Sequence, residues 1–300
     1  MHILFRVDSS AEIGLGHLMR CLVLARQYDK DHAIFFATQD LEKNANQKVI
    51  NQRYQLVLLK NNSVAELVQT IHQLKIDRVV FDHYHINAVF EREIKEKTSV
   101  NILSLDDTYE SHYCDILLNH NIYASAEKYQ DLVPDFCEIR CGEAYTLIRD
   151  EFKELKINHR PIDPDNLVVF VSLGGADVNN TGLLVLQMLQ MFAGISVNFA
   201  TTSSNKNIDK LKVFAQQYAF INICVDCNVA ELMNNSDFAI ITPSVVAYEA
   251  MYLNLPFLAI QTANNQRYVA EYLLENGCLL GYANEMDEIQ PLIRMLLTYE

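Results

Sequence analysis

Short apolar runs recur along the chain, separated by stretches whose apolar residues fall three and four positions apart. The first pattern predicts buried strands and the second amphipathic helices. In the first half, strands are expected at His2–Val7, Ala33–Thr38, Gln55–Leu59, Arg78–Phe81, Asn101–Leu105 and Asp115–Leu118, with helices such as Leu18–Tyr28 and Val64–Leu74 between them. The second half repeats the theme, with strands at Leu167–Ser172, Ile195–Ala200, Ile221–Val225, Phe238–Ile241 and Phe257–Ile260. Strand and helix in alternation are the mark of parallel sheets with crossover helices, so the fold class is α/β with two Rossmann-like, doubly wound domains. The polar stretch "NHRPIDPDN" at 158–166 carries two prolines and reads as a linker. It divides the chain into domains 1–157 and 158–300. Ligands of such folds sit outside the carboxyl ends of the strands, which makes a central cleft between the domains the expected binding place.

Length and charge narrow the partners. The chain has 300 residues, half of them hydrophobic, and a formal net charge of −14. That length suits two ordinary domains, and the negative balance argues against nucleic acid, which is held by clustered Lys and Arg. A nucleotide remains open, since a few local donors and a helix terminus hold a diphosphate. The N-terminus enters a strand with no signal-peptide pattern, and no apolar run approaches the roughly 18 residues of a membrane span. The seven cysteines are scattered and odd in number, as for reduced cytoplasmic thiols. Cys224 and Cys227 form an isolated C-x-x-C with no second pair or histidine nearby, and read as two thiols at a strand end.

Five stretches carry candidate chemistry. In "RVDSSAEIGLGHLMRC", residues 6–21, a strand runs through Gly14 and Gly16 into His17, at the mouth of a helix. The loop lacks the third glycine of a dinucleotide fingerprint and the Lys-Ser/Thr of a phosphate-binding loop. A helix N-terminus disfavours the imidazolium, so His17 suits either a proton acceptor or a turn cap. "FDHYHI", residues 81–86, follows a strand and brings Asp82, His83, Tyr84 and His85. A metal site built on the two histidines would need a third ligand that is not evident. "SLDD", residues 104–107, reads as turn-capping carboxylates. "VSLGGADVNNTG", residues 171–182, places Gly174 and Gly175 before a helix, where backbone N–H groups can approach a diphosphate. In "TPSVVAYEAMYLNLPFLAI", residues 242–260, Ser244 would cap a helix carrying Glu249, whose two oxygens match a ribose diol. The triplets Asp29-Lys30-Asp31 and Asp163-Pro164-Asp165 lie off the strand ends, so no metal site is expected.

Taken together, these stretches resemble the PseG family, the UDP-sugar hydrolases of pseudaminic acid biosynthesis, related in fold to GT-B glycosyltransferases such as MurG. The residues carrying the resemblance include the G-x-G-H loop with its following Met-Arg-Cys, "FDHYHI", "SLDD", "CDILLN", "VPDFCEIRCGEAYTLIRDEF", "SLGGAD", "SVVAYEAMYLNLPFLAI" and "NQ" at 265–266. They run from residue 3 to about 275 in the family's order. The resemblance implies a GT-B-like fold and removal of UDP from UDP-2,4-diacetamido-2,4,6-trideoxy-β-L-altropyranose, with inversion and without metal or other cofactor. It implies His17 as general base, Tyr84 in the sugar pocket, Gly174, Gly175 and Asn265 near the diphosphate and Glu249 on the ribose. On this reading Gly14, Gly16 and Ser244 belong to the substrate site, and a neutral His17 draws a proton from water attacking the anomeric carbon. The partners are a UDP-sugar and water, with neither nucleic acid nor membrane; the oligomeric state is open, with a monomer favoured. Two rivals stand: a GT-B glycosyltransferase using the same donor, and a sugar-nucleotide binder without catalysis.

Overall fold

A computed structural model describes residues 1–10, 12–155, 161–175, 177 and 179–298. The chain divides into two compact units, Met1–Leu147 and Ile148–Glu300. The first holds strands β1 (His2–Val7), β2 (Ala33–Gln39), β3 (Gln55–Leu59), β4 (Arg78–Asp82), β5 (Asn101–Leu105), β6 (Ile116–Asn119) and β7 (Glu138–Cys141). They form one seven-stranded parallel sheet in the order β3-β2-β1-β4-β5-β6-β7. The second unit holds β8 (Leu167–Ser172), β9 (Ile195–Thr201), β10 (Ile221–Val225), β11 (Phe238–Ile241), β12 (Phe257–Gln261) and β13 (Leu279–Tyr282). Its six-stranded parallel sheet runs β10-β9-β8-β11-β12-β13. Both orders turn outward in opposite directions from their first strand, the doubly wound arrangement expected.

Side-chain alternation along β1 shows why these runs fold so. Ile3, Phe5 and Val7 enter a core with Leu18, Leu22, Val80 and Leu103 on one face. Leu4 enters the core of the opposite face with Val79, Phe81, Ile71 and Ile94. A strand covered on both sides must be apolar at successive positions, which is the continuous pattern seen in parallel sheets. In the second unit Val169, Val171 and Phe199 pack with Val185, Leu189 and Ile293. Local signals set helix ends: Ser63 Oγ accepts the Glu66 amide, and Lys75 closes that helix, Val64–Leu74, in the left-handed region.

The division between the units, after Leu147, falls earlier in the chain than the linker at 158–166. Phe152 is fully buried, and Arg149 bonds to Glu249, so 148–153 belongs with the second unit. The expected division at 157/158 lies outside the described residues. β7 and β13 were not expected from the sequence. Among the described residues no helix is long and apolar enough to cross a membrane.

Candidate active site

In the first unit the strands β1, β4, β5 and β6 lie side by side, and the polar residues at their carboxyl ends converge. The loop after β1 turns at Gly14, whose φ of +81° favours glycine, and whose amide donates to the Ser10 carbonyl at 2.9 Å. Gly16 opens the helix Gly16–Arg26, and no side chain caps it. His17 therefore stands in its first turn, buried apart from one edge (9 % exposed). Its Nδ1 lies 2.6 Å from Asp82 Oδ1, at the end of β4. One turn along the helix, Arg20 donates from Nε and Nη2 to the two Asp82 oxygens, each at 2.6 Å, and from Nη1 to Asp107 Oδ2 at 2.6 Å. Cys21 adds a weak Sγ donation to Asp82 at 3.4 Å.

The proton positions follow from this network. An ionised carboxylate only accepts, so His17 donates its Nδ1–H to Asp82, and the neutral ring in this tautomer carries its lone pair on Nε2. Arg20 Nη2 also approaches Nδ1, at 2.9 Å, and donates one of its protons to Asp82 Oδ1. Burial opposes the charge on Asp82; Arg20 and then His17 outweigh it and hold this carboxyl well below the usual range. Burial, then Asp82, pushes the Cys21 thiol up, so it stays protonated. The Tyr84 ring meets His17 edge-on with centroids 4.6 Å apart, and its hydroxyl donates to Asp107 at 3.2 Å. Tyr84 is 61 % exposed.

Several sequence expectations sort differently. Of the two "SLDD" carboxylates, Asp106 does cap its turn, accepting the amides of Thr108 and Tyr109. Asp107 does not; it joins Arg20 and Tyr84 instead. His83 bonds through Nε2 to Asp8 at 3.0 Å, in a separate buried pair with Arg6, and His85 donates its amide to His83. Among the described residues no group of three His, Cys, Asp or Glu side chains is placed to hold a metal ion. Asp82 as the partner of His17, together with Arg20, Asp107 and His120, was missed. His120 follows β6, is 2 % exposed, and burial followed by Arg20 pushes it down to about 4, so it is neutral. The signal for Arg20 lay in its spacing, three positions after His17 on one helix face.

In the second unit the loops after β8, β11 and β12, again neighbouring strands, carry the other candidates. Gly174 has a φ of +86°, and a Cβ on Gly175 would lie 2.8 Å from Thr202 Cγ2. The helix Thr181–Leu189 that follows is capped from within. Asp177 Oδ1 and Oδ2 accept the amides of Thr181 and Gly182 at 2.9 and 3.0 Å, so these two donors are taken. Gly182 fits against Phe199, where a Cβ would come within 2.4 Å of the ring. Asn179 Nδ2 donates to the Thr262 carbonyl at 3.4 Å, which joins the glycine loop to the short turn Asn264–Gln266. Asn265 is exposed in that turn, whereas Gln266 Oε1 folds back onto the Thr262 amide. Ser244 precedes the helix Val245–Tyr252 in extended conformation; it makes no side-chain cap, and its hydroxyl lies 3.1 Å from Thr242 Oγ1. Glu249 is 1 % exposed, and both its oxygens are engaged by Arg149, at 2.6 and 2.8 Å.

Against known proteins, no family model matches the chain. It is 40 % identical over 283 residues to UDP-2,4-diacetamido-2,4,6-trideoxy-β-L-altropyranose hydrolase of Campylobacter jejuni, covering 94 % of this chain and 99 % of that protein. It is 23 % identical to the spore coat polysaccharide biosynthesis protein SpsG of Bacillus subtilis, over 93 % of this chain and 83 % of that one. Among solved structures it superposes on spinosyn rhamnosyltransferase SpnG with a TM-score of 0.70 at 9 % identity, covering 99 % of this chain and 92 % of that one. It superposes on MurG of Acinetobacter baumannii with a TM-score of 0.63 at 11 % identity, covering 99 % and 91 %. These two likenesses show the fold alone, that of GT-B glycosyltransferases. On the first relative, the chain belongs to the family of UDP-2,4-diacetamido-2,4,6-trideoxy-β-L-altropyranose hydrolases.

Proposed function

We propose that this protein releases UDP from UDP-2,4-diacetamido-2,4,6-trideoxy-β-L-altropyranose by attack of water at the anomeric carbon, a step of pseudaminic acid biosynthesis. The observation that carries the reading is His17, buried and tied through Nδ1 to Asp82, which in the neutral ring makes Nε2 the acceptor. A histidine so oriented is a general base. As the water oxygen bonds to C1, Nε2 takes its proton. The bond from C1 to the β-phosphate oxygen breaks, and its electron pair leaves with UDP. One displacement from the opposite face inverts the anomeric centre. Tyr84 lines the sugar pocket beside His17, with its hydroxyl fixed by Asp107.

The nucleotide belongs to the second unit on this reading. Backbone amides of the Gly174–Gly175 loop and of the turn at Asn265, with the uncapped N-terminus of the Ser244 helix, suit a diphosphate. Glu249 would hold the ribose. Catalysis proceeds without metal: Asp82 is occupied by Arg20 and His17, and Asp107 by Arg20 and Tyr84, so the strand-end carboxylates are already neutralised by protein groups. A cytoplasmic place of action fits the seven free thiols.

The test is free UDP measured after incubation with the UDP-sugar in water and EDTA, with the sugar anomer followed by NMR. UDP release with inverted configuration is expected. Release that waits for an added hydroxyl acceptor would make the chain a glycosyltransferase; loss in EDTA, restored by Mg²⁺ or Mn²⁺, would place a metal in the site.

A further inference from the structure

Glu249 is shielded by the group that pairs with it. Its side chain is 1 % exposed and that of Arg149 25 %, so the guanidinium lies on the solvent side of the carboxylate. Arg149 Nε and Nη2 occupy the two Glu249 oxygens. Its third edge, Nη1, lies 2.6 Å from Glu151 Oε1, on a side chain 41 % exposed. One guanidinium thus spans two carboxylates, one buried and one open to water. Bidentate geometry of this kind sets the direction of both planes.

We propose that Arg149 is a positioning residue of the nucleotide site: it keeps Glu249 ionised and oriented, and moves to Glu151 when a ribose diol takes its place on the two Glu249 oxygens. The inference rests on the reading of Glu249 as the ribose ligand. Each hydroxyl of a vicinal diol replaces one N–H, so the buried carboxylate keeps two donors through the exchange. Arg149 keeps an anionic partner throughout. The exchange therefore keeps both buried Glu249 oxygens hydrogen-bonded, and a buried acceptor left without a donor is what costs most when a partner departs.

The charges facing Glu249 are Arg149 and, beyond it, Glu151. The strands that pack on its helix, β11 and β12, carry no titratable side chain. Burial favours the protonated acid, and Arg149 opposes this. A protonated Glu249 offers one fewer acceptor to a diol.

UDP binding by calorimetry between pH 6 and 8 tests the proposal, each variant read as a ratio to the native protein so that titration of UDP itself cancels. Arg149→Ala should weaken binding most at pH 6 and recover about tenfold or more by pH 8, as expected when one proton is linked to binding. Arg149→Lys, which keeps the charge, should show a flat ratio. Glu151→Gln, an exposed change with little risk to folding, should weaken UDP a few-fold at every pH, since Arg149 then has no second anion. An Arg149→Ala ratio that is flat with pH, or native affinity in Glu151→Gln, overturns the exchange. Glu249→Gln separates the two readings. Native affinity there removes the ribose role and the exchange with it; weakened affinity there alongside a flat Arg149→Ala ratio removes the exchange alone.

Discussion

The two units share one strand order but set different residues at its carboxyl ends. At the carboxyl ends of β1, β4 and β5 the first unit gathers His17, Arg20, Asp82 and Asp107, each bonded to another of the set. At the matching ends of β8, β11 and β12 the second unit presents Gly174, Gly175, Thr242, Ser244 and Asn265, all uncharged. Its two acids there, Asp177 and Glu249, are turned inward as a helix cap and an ion pair. Moving a proton needs a base whose tautomer is fixed by charged neighbours. Holding a diphosphate needs backbone donors and room for the chain to come close. The same topology serves both because the loops, not the sheet, carry the difference.

The sharpest break of this comparison is His17→Asn. If chemistry resides in the first unit, turnover should fall by about 10²–10⁴-fold, the usual share of a positioned general base, while UDP affinity stays native. Steady-state UDP release and calorimetry on one preparation measure both. A loss of UDP binding as large as that of turnover would move His17 into the nucleotide site, and near-native turnover would leave it a turn cap. Next in size is Glu249→Ala in the second unit. It should weaken UDP binding by about 1–3 kcal/mol, the range for hydrogen bonds to a charged group; unchanged affinity would empty the ribose role. The smallest effect concerns folding. All described histidines lie in the first unit, and His112 there faces Glu91 Oε1 at 2.8 Å and Asp106 Oδ1 at 3.8 Å. Burial alone would push its pKa down; Asp106 and Glu91 outweigh burial and raise it to about 10. A raised pKa stabilises the folded state fully below the unfolded value of about 6.5 and loses that contribution as pH climbs toward 10. The melting temperature should fall over this window, and His112→Gln should flatten the fall. Equal slopes in the two proteins would show that the imidazolium does not support the fold.

Eleven strands were legible because burial on both faces leaves near-continuous apolar runs, such as residues 3–5 of "HILFRV" and 167–171 of "LVVFVS". The two missed strands are edges. β7 reads "EIRC", with Glu138 and Arg140 paired to each other on its outer side, and β13 reads "LLGY", interrupted by Gly281. Charge on an edge strand discourages pairing with another chain, and Gly281 leaves room for Ile289; the same residues hide the two strands from a hydrophobic pattern. His17 was visible through its glycine loop. Its partner was not, because Asp82 stands 65 positions away, and only the adjacency of β1 and β4 in the sheet brings them together. The Arg149–Glu249 pair was equally hidden, since it joins residues 100 apart in the chain.

Gly182 has a consequence for how this chain tolerates change. Its Cα sits where an added methyl carbon would meet Phe199 at 2.4 Å and Asp177 Oδ2 at 2.7 Å. The first of these is the rim of a core aromatic ring and the second is the carboxylate that starts the helix. No missense change at that codon is small enough to be silent, so a random mutational library should return glycine there almost without exception. Gly14 and Gly16, in the loop that leads to His17, have open space around them. Of these, Gly16 lies outside the left-handed region, and alternatives should survive at it. The glycine with the least room thus lies beside the Gly174–Gly175 loop rather than beside His17, and a diversity profile read without the structure would report packing there, not chemistry.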